Sequence, residues 1–141
     1  MLYQDLDDVT NIEAHCSPAP WTYKIFESCL TSSYLCVVAV TGDEVRGFGV
    51  LNIGLDEGHI MNLGVVPAHR SQGIGRQLLE HLLGFCRRSE AESVFLEVRA
   101  TNQTAIDLYE SLGFQIIGRR TNYYAREKDE REDAINMVLQ L

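Results

Sequence analysis

Glu97 interrupts an apolar run, Val94-Phe95-Leu96-Glu97-Val98. In an extended segment Val94, Leu96 and Val98 face one way, and Phe95, Glu97 and Arg99 the other. A carboxylate so placed needs a partner or a task. It either pairs with Arg99 on the same face, or with a neighbouring strand, or serves as a general base, since partial burial moves a carboxyl toward the working range. A second feature is Arg70-Ser71-Gln72-Gly73-Ile74-Gly75-Arg76, between a strand ending at Val66 and a helix starting near Gly75. Two glycines let the backbone approach a ligand, and the helix turns its positive end to the same spot, an arrangement suited to a pyrophosphate. The alternative is an ordinary glycine-containing helix start. Two other phosphate loops do not fit: there is no Gly-Lys-Ser/Thr, and Leu78 stands where the dinucleotide pattern wants a third small residue.

The elements that must position these groups follow from periodicity. Asp5 is expected to cap a helix over Leu6 to His15, broken by Ser17-Pro18-Ala19-Pro20-Trp21, and Thr22 a second helix over Tyr23 to Ser32. Leu35 to Val40 and Val45 to Asn52 read as a hairpin, and His59 to Val66 as the next strand. Leu78, Leu79, Leu82, Leu83 and Cys86 mark an amphipathic helix over Gly75 to Ser89. Ser93 to Val98 is a buried strand. Ala105, Ile106, Leu108, Tyr109 and Leu112 mark a helix with Asn102 or Thr101 near its cap and Gly113 at its stop. Phe114 to Ile117 and Ala134 to Leu141 close a sheet, with the charged stretch Ala125 to Asp133 expected as a solvated loop. The order α-α-β-β-β-α-β-α-β-β predicts one α/β domain over residues 1–141, a mixed sheet with helices on both faces.

Composition narrows the function. Twelve Lys and Arg against twenty Asp and Glu give a formal charge of −8, which disfavours a phosphate backbone and favours a cationic partner. No apolar run approaches the roughly 20 residues that span a bilayer, and the N-terminus has no signal-like pattern. Cys16, Cys29, Cys36 and Cys86 form no Cys-x-x-Cys pair, so free, mostly buried thiols in a reducing cytoplasm and no structural metal are expected.

The loop Arg-x-x-Gly-x-Gly, followed by Asn102-x-x-Ala105-x-x-Leu108-Tyr109-x-x-x-Gly113-Phe114, resembles the acyl-CoA-binding motifs of the GNAT acetyltransferase superfamily. Pro20-Trp21, Leu96-Glu97-Val98-Arg99, Arg120-Thr121-Asn122-Tyr123-Tyr124 and Glu132-Asp133-Ala134-Ile135-Asn136-Met137 look like the bacterial ribosomal-protein-alanine N-acetyltransferases, over nearly the whole chain. That family acetylates the N-terminal alanine of the eighteenth small-subunit ribosomal protein. The family usually begins with a further strand, so the sheet is expected to have its first strand shortened or absent. Ala19 is small where the family often has a bulky residue.

The resemblance implies roles. Acetyl-CoA is the implied co-substrate, held by Ser71, Gln72, Gly73, Ile74, Gly75, Arg76 and Asn102 and by backbone pairing along Leu63, Gly64 and Val65, with Gly64 marking a bulge that opens the sheet. Asn102 by itself reads equally as a helix cap. A β-branched residue at Gly73 or Gly75 is expected to block the phosphate. Glu97 would deprotonate the acceptor amine through water, in direct attack within a ternary complex. Tyr109, which periodicity alone assigns to the core, would protonate the departing thiolate. Trp21, Asn122, Tyr123 and Tyr124 are implied acceptor-pocket residues, or else packing under loops. The implied partner is the basic tail of a ribosomal protein, met in the cytoplasm, with Asp56, Glu57, Glu127, Asp129, Glu130, Glu132 and Asp133 near the site. Other acceptors (another N-terminus, a lysine, a small amine) and a non-catalytic acyl-CoA-binding module are the alternatives. A nucleotide-binding protein lacks its lysine and acidic metal ligands.

Overall fold

The computed structural model describes residues 1–70, 72–125 and 131–141. Helix α1 is Leu6–Cys16 and α2 Tyr23–Thr31. Strands β1 Leu35–Thr41, β2 Glu44–Gly54 and β3 Glu57–Val65 follow, then α3 Ile74–Arg88, β4 Ser93–Arg99, α4 Gln103–Ser111, β5 Gln115–Ala125 and β6 Arg131–Gln140. The predicted element order therefore holds. The sheet runs β1-β2-β3-β4-β6-β5, antiparallel except for the β3–β4 pair, the mixed and mostly antiparallel sheet that was expected. No strand precedes α1 among the described residues, and the Met1 amino group donates to the Cys36 carbonyl of β1 at 3.0 Å. No helix among the described residues is long and apolar enough to cross a membrane.

Alternation along the strands divides the core between the two faces. On one side Leu79, Leu82 and Cys86 of α3 and Ile106 and Tyr109 of α4 cover Val94, Leu96 and Val98 of β4 and Ile135, Met137 and Leu139 of β6. On the other, Leu6, Val9 and Ile12 of α1 and Phe26 and Cys29 of α2 cover Phe48 and Val50 of β2. The Thr22 hydroxyl accepts from the Ile25 N–H at 3.4 Å and starts α2 as predicted. Cys29 and Cys86 are buried and Cys16 and Cys36 half-buried; all four are free thiols.

Four expectations change. Asp5 does not cap α1: its carboxylate accepts the Leu2 N–H at 2.7 Å, closing a 3-10 turn over Tyr3–Asp5 that leads into the helix. Gly64 is not a bulge. The register slips between Val50 and Leu51, where Met61 is the extra residue of β3. Gly64 is instead a close approach, since a Cβ there would stand 2.5 Å from the Phe48 ring. The charged stretch is not all solvated loop: Ala125 ends β5 and Arg131 to Asp133 begin β6, with Glu132 buried. Residues 126–130, among them Glu127, Asp129 and Glu130, lie outside the described residues. Finally, β5 extends to Ala125, because Arg120 pairs with Ala134 and Tyr124 with Glu132, so the Arg120-to-Tyr124 motif belongs to a strand.

Candidate functional site

The site begins where a strand pair comes apart. β3 and β4 are in register only from Glu57/Ser93 to Ile60/Leu96. Beyond that β3 runs on to Val65 along β2, and β4 to Arg99 along β6, without pairing with each other. The Met61 bulge lies at the point of divergence. The facing edges are thereby released from sheet pairing, and two groups of the β3 edge are held locally: the Leu63 N–H donates to the Asn62 side-chain carbonyl at 2.9 Å, and the Val65 carbonyl accepts from the Cys16 thiol at 3.4 Å. A cleft of about 980 Å³ occupies the opening. Leu63, Gly64, Val65, Gly73, Gly75, Arg76, Asn102 and Tyr109 line it, together with Cys16, Arg70, Arg99 and Glu132.

The glycine loop enters α3 as predicted. Gly73 has φ +85°, a left-handed conformation that suits glycine, with nothing within 4 Å of where a Cβ would stand. The Gln77 N–H bonds to the Gly73 carbonyl at 3.0 Å, so the amides of Ile74, Gly75 and Arg76 precede the first helical bond. Those three N–H groups and the open space above Gly73 fit a phosphate group. A Cβ on Gly75 would meet Leu108 at 3.4 Å and Val65 at 3.8 Å, ordinary van der Waals contacts, and the residue lines the cleft. Arg76 donates to the Ser111 hydroxyl at 2.6 Å, tying α3 to α4. Gln72 is exposed and Ile74 half-buried against Gly47, and neither lines the cleft; Ser71 lies outside the described residues. Asn102 caps α4, its side chain accepting from the Ala105 N–H at 3.2 Å, and also lines the cleft.

Tyr109 is only 7% exposed, on the face covered by α3 and α4. Burial pushes its hydroxyl up to about 12, so it is a proton-holding donor at neutral pH. Glu97 projects from the opposite face of β4, as its strand parity predicts. It pairs not with Arg99 but with Arg120 of β5, Nε to Oε1 at 3.3 Å, reaching across β6. Arg99 is engaged by Glu132 at 2.9 Å, and its guanidinium lies 4.5 Å from the Tyr124 ring centre. The Glu132 carboxylate also accepts the Thr101 hydroxyl at 2.7 Å. Burial works against its charge, but the hydrogen bonds from Thr101 and Arg99 leave it net below the ordinary carboxyl value.

The four expected acceptor residues divide. Tyr124 is half-buried beside Glu97, Arg99 and Tyr109; burial first, and then the Glu97 charge, push its hydroxyl up to about 12. Tyr123 is exposed, edge-on to Tyr124 at 5.1 Å and under the Arg120 guanidinium at 4.8 Å. Asn122 has φ +54°, and its N–H donates to Asp133 at 2.9 Å. That bond and the Arg119–Asp133 ion pair hold a bulge of β5 opposite Asp133. Trp21 instead packs its ring on Phe26 at 5.4 Å, the packing alternative.

One group escaped the sequence analysis. Glu13 of α1 is 4% exposed and accepts the Trp21 N–H at 3.0 Å and the Asn62 amide at 2.9 Å. It fastens the α1–α2 connection to β3 beside the bulge. Burial raises its carboxyl above the ordinary value, against the pull of those bonds and of Arg99. Its signal was available: Val9, Ile12, Glu13 and Cys16 share one helix stripe, and a carboxylate on a buried stripe demands partners.

Comparison with known proteins bears on this geometry. The acetyltransferase (GNAT) family model matches residues 3–114. The ribosomal protein bS18 alanine N-acetyltransferase of Escherichia coli K12 is 40% identical over 135 residues, 96% of this chain and 90% of that protein. The crystal structure of the ribosomal-protein-S18-alanine N-acetyltransferase from Escherichia coli superposes with a TM-score of 0.91 at 38% identity, over 99% of this chain and 90% of that one. A putative acetyltransferase from Salmonella typhimurium, solved with acetyl-CoA, has a TM-score of 0.82 at 23% identity, over 100% and 91% of the two chains, and speaks for the fold.

Proposed function

The chain belongs to the acetyltransferase (GNAT) family, and on that premise we propose that it transfers the acetyl group of acetyl-CoA to the N-terminal alanine of ribosomal protein bS18. It is an N-acetyltransferase, and residues 1–141 act as one catalytic domain. The observation that carries the reading is the β3–β4 opening, a cleft lined by the Gly73 turn and by Tyr109, with Glu97 standing outside its lining on the stretch of β4 that has parted from β3. The 40% identity along nearly the whole chain supplies the acceptor.

Acetyl-CoA supplies an activated thioester. The amides of Ile74, Gly75 and Arg76 and the turn at Gly73 hold its pyrophosphate, and the edge of Leu63–Val65 pairs with its amide-bearing arm as an added strand would, once the Asn62 side chain gives up the Leu63 N–H. Glu97 takes the proton of the acceptor ammonium through water. An N-terminal amine, with an ordinary pKa near 8, is easier to deprotonate than a lysine near 10.4. Tyr109 faces the leaving sulfur. Its hydroxyl, at about 12, binds its proton more tightly than an ordinary thiolate, whose conjugate acid lies near 8.5, so its contribution is chiefly a hydrogen bond to the developing negative charge. Tyr123 and Tyr124 border the acceptor. These proton transfers need no metal ion. The partner is a basic ribosomal tail, approaching an acidic protein in the cytoplasm.

Intact-mass analysis of ribosomal proteins from cells with and without the gene tests the proposal. One acetyl group should leave bS18 alone. With the purified enzyme, a peptide bearing an N-terminal alanine should be acetylated and the same peptide with a blocked terminus and a free lysine should not. Lysine acetylation, or an unchanged bS18 mass, would move the acceptor elsewhere.

A further inference from the structure

Asn136 has no assigned role and an unusual position. It lies in β6 opposite Glu97 of β4, with Gly118 of β5 on its other side. Directly opposed residues share a face, with their Cβ atoms about 4.5–5.5 Å apart. Glu132 and Ala134 precede Asn136 on the same face of β6, so Gly118, Asn136 and Glu97 form one row across three strands. A Cβ on Gly118 would stand 3.6 Å from Asn136 Nδ2, which puts the nitrogen end of the amide on the β5 side and its carbonyl away from it. That carbonyl oxygen, Oδ1, is buried and receives no hydrogen bond. A buried acceptor left unpaired bears the full cost of its desolvation, and such groups in native proteins call for a reason.

We infer that Asn136 is a positioning residue for Glu97: its side-chain carbonyl accepts the hydrogen bond that Glu97 donates after taking the acceptor's proton. This rests on the reading of Glu97 as base. An ionised carboxylate only accepts, so it leaves Asn136 Oδ1 without a donor; a protonated carboxyl has one O–H to give. Arg120 acts in the opposite sense, since its Nε, 3.3 Å from Oε1, favours the ionised form. The base thus stands between one neighbour that favours it empty and one that favours it loaded. The proton passes from the ammonium through water to Glu97, its O–H turns to Asn136, and release to solvent restores the Arg120 pair. The other groups facing Glu97 do not supply this acceptor. Arg99 on its own strand is a cation held by Glu132 of β6. Tyr124 of β5 keeps its proton, with its hydroxyl near 12, and Tyr109 of α4 packs on the other face of the sheet. Tyr123 of β5 lies under Arg120, and Glu13 of α1 is engaged by Trp21 and Asn62.

The test is kcat, the KM values for peptide and acetyl-CoA, a melting curve and a pH–rate profile for Asn136→Leu and Arg120→Gln. Asn136→Leu should lower kcat roughly 2–10-fold, the range of one lost hydrogen bond, with both KM values close to wild type and the melting temperature unchanged or raised. The acid limb of its profile should move to lower pH, because only the loaded form has lost a partner. That of Arg120→Gln should move to higher pH. In a Glu97→Gln background, Asn136→Leu should have no further effect. Wild-type kcat and an unmoved acid limb in Asn136→Leu, with Glu97→Gln strongly impaired, overturn this inference alone; wild-type activity in Glu97→Gln overturns the base itself. Should Asn136→Leu fail to fold, Asn136→Ala carries the same measurements.

Discussion

The two ends of the cleft are built from different materials. The cofactor end is backbone: a left-handed glycine, three amides at the start of α3 and the parted edge of β3. Its geometry is set locally, within the stretch from Leu63 to Arg76. The acceptor end is side chains: the Glu97–Arg120, Arg99–Glu132 and Arg119–Asp133 pairs, the tyrosines of the β5 bulge and the buried Glu13. Its contacts join residues as distant as Ser17 and Arg99, 3.5 Å apart. Amides cannot be mutated away, so the cofactor end is altered only by reshaping the chain. On the proposed function, the acceptor end is the part that can be retuned one side chain at a time.

That contrast can be broken by substitution. The largest effect is expected at Glu97→Gln, with kcat down about 10²–10⁴-fold and the acetyl-CoA dissociation constant unchanged, the deficit narrowing at high pH where more amine is already neutral. A parallel loss of acetyl-CoA binding would mean that the two ends are not separate. Tyr109→Phe is expected to cut turnover about 10-fold or more with binding and melting temperature near normal, since the hydroxyl matters as charge develops on sulfur. Full turnover returns Tyr109 to the core. Gly73→Val forces a β-branched residue to φ +85°, costing roughly 1–2 kcal/mol of backbone strain; it should raise the acetyl-CoA KM about 5–10-fold and barely change the peptide KM. Equal rises in both would deny the loop its one-ended role.

The smallest effects distinguish two buried carboxylates of the acceptor end. Glu132 titrates below its ordinary 4.5 in the folded protein, so it stabilises fully above that value and the contribution fades as pH falls through its depressed folded value. Glu13 titrates above 4.5, so its contribution is greatest below 4.5 and is lost as pH rises through its raised folded value. Glu132→Gln should cost about 2 kcal/mol at neutral pH, a deficit that shrinks in acid. Glu13→Gln should gain on wild type as pH rises from 4.5. Melting curves between pH 3.5 and 7.5 read both, and parallel curves would show that burial does not separate the two groups.

The same division governs what could be read from residues alone. The element order, the α3 entry, the Asn102 cap and the parity that exposes Glu97 to one face are short-range consequences of period and turn chemistry. The partner of Glu97 was not legible. Arg99 is two residues away and Arg120 twenty-three, and the pair forms only because β6 lies between β4 and β5 and brings the two strands within reach. Gly64 was not legible for a related reason: it is small because the Phe48 ring comes close, which only tertiary packing determines. The stretch Arg131–Asp133 looked solvated because charge was counted without partners, yet Arg99, Thr101 and Arg119 neutralise or hydrogen-bond its carboxylates inside a strand.

The parted strands have a consequence beyond catalysis. Amides of β3 past Ile60 that point toward β4 lack the cross-strand partner that Glu57–Ile60 enjoy. In the free protein they should exchange with deuterium faster than the paired stretch, the Leu63 amide least so because the Asn62 side chain holds it. A ligand that fills the slot acts as a missing piece of sheet, and its affinity is added to folding stability: about 2.7 kcal/mol at a hundredfold excess over the dissociation constant. The persistence of this protein in the cell, and its resistance to proteases, would then rise and fall with the acetyl-CoA pool.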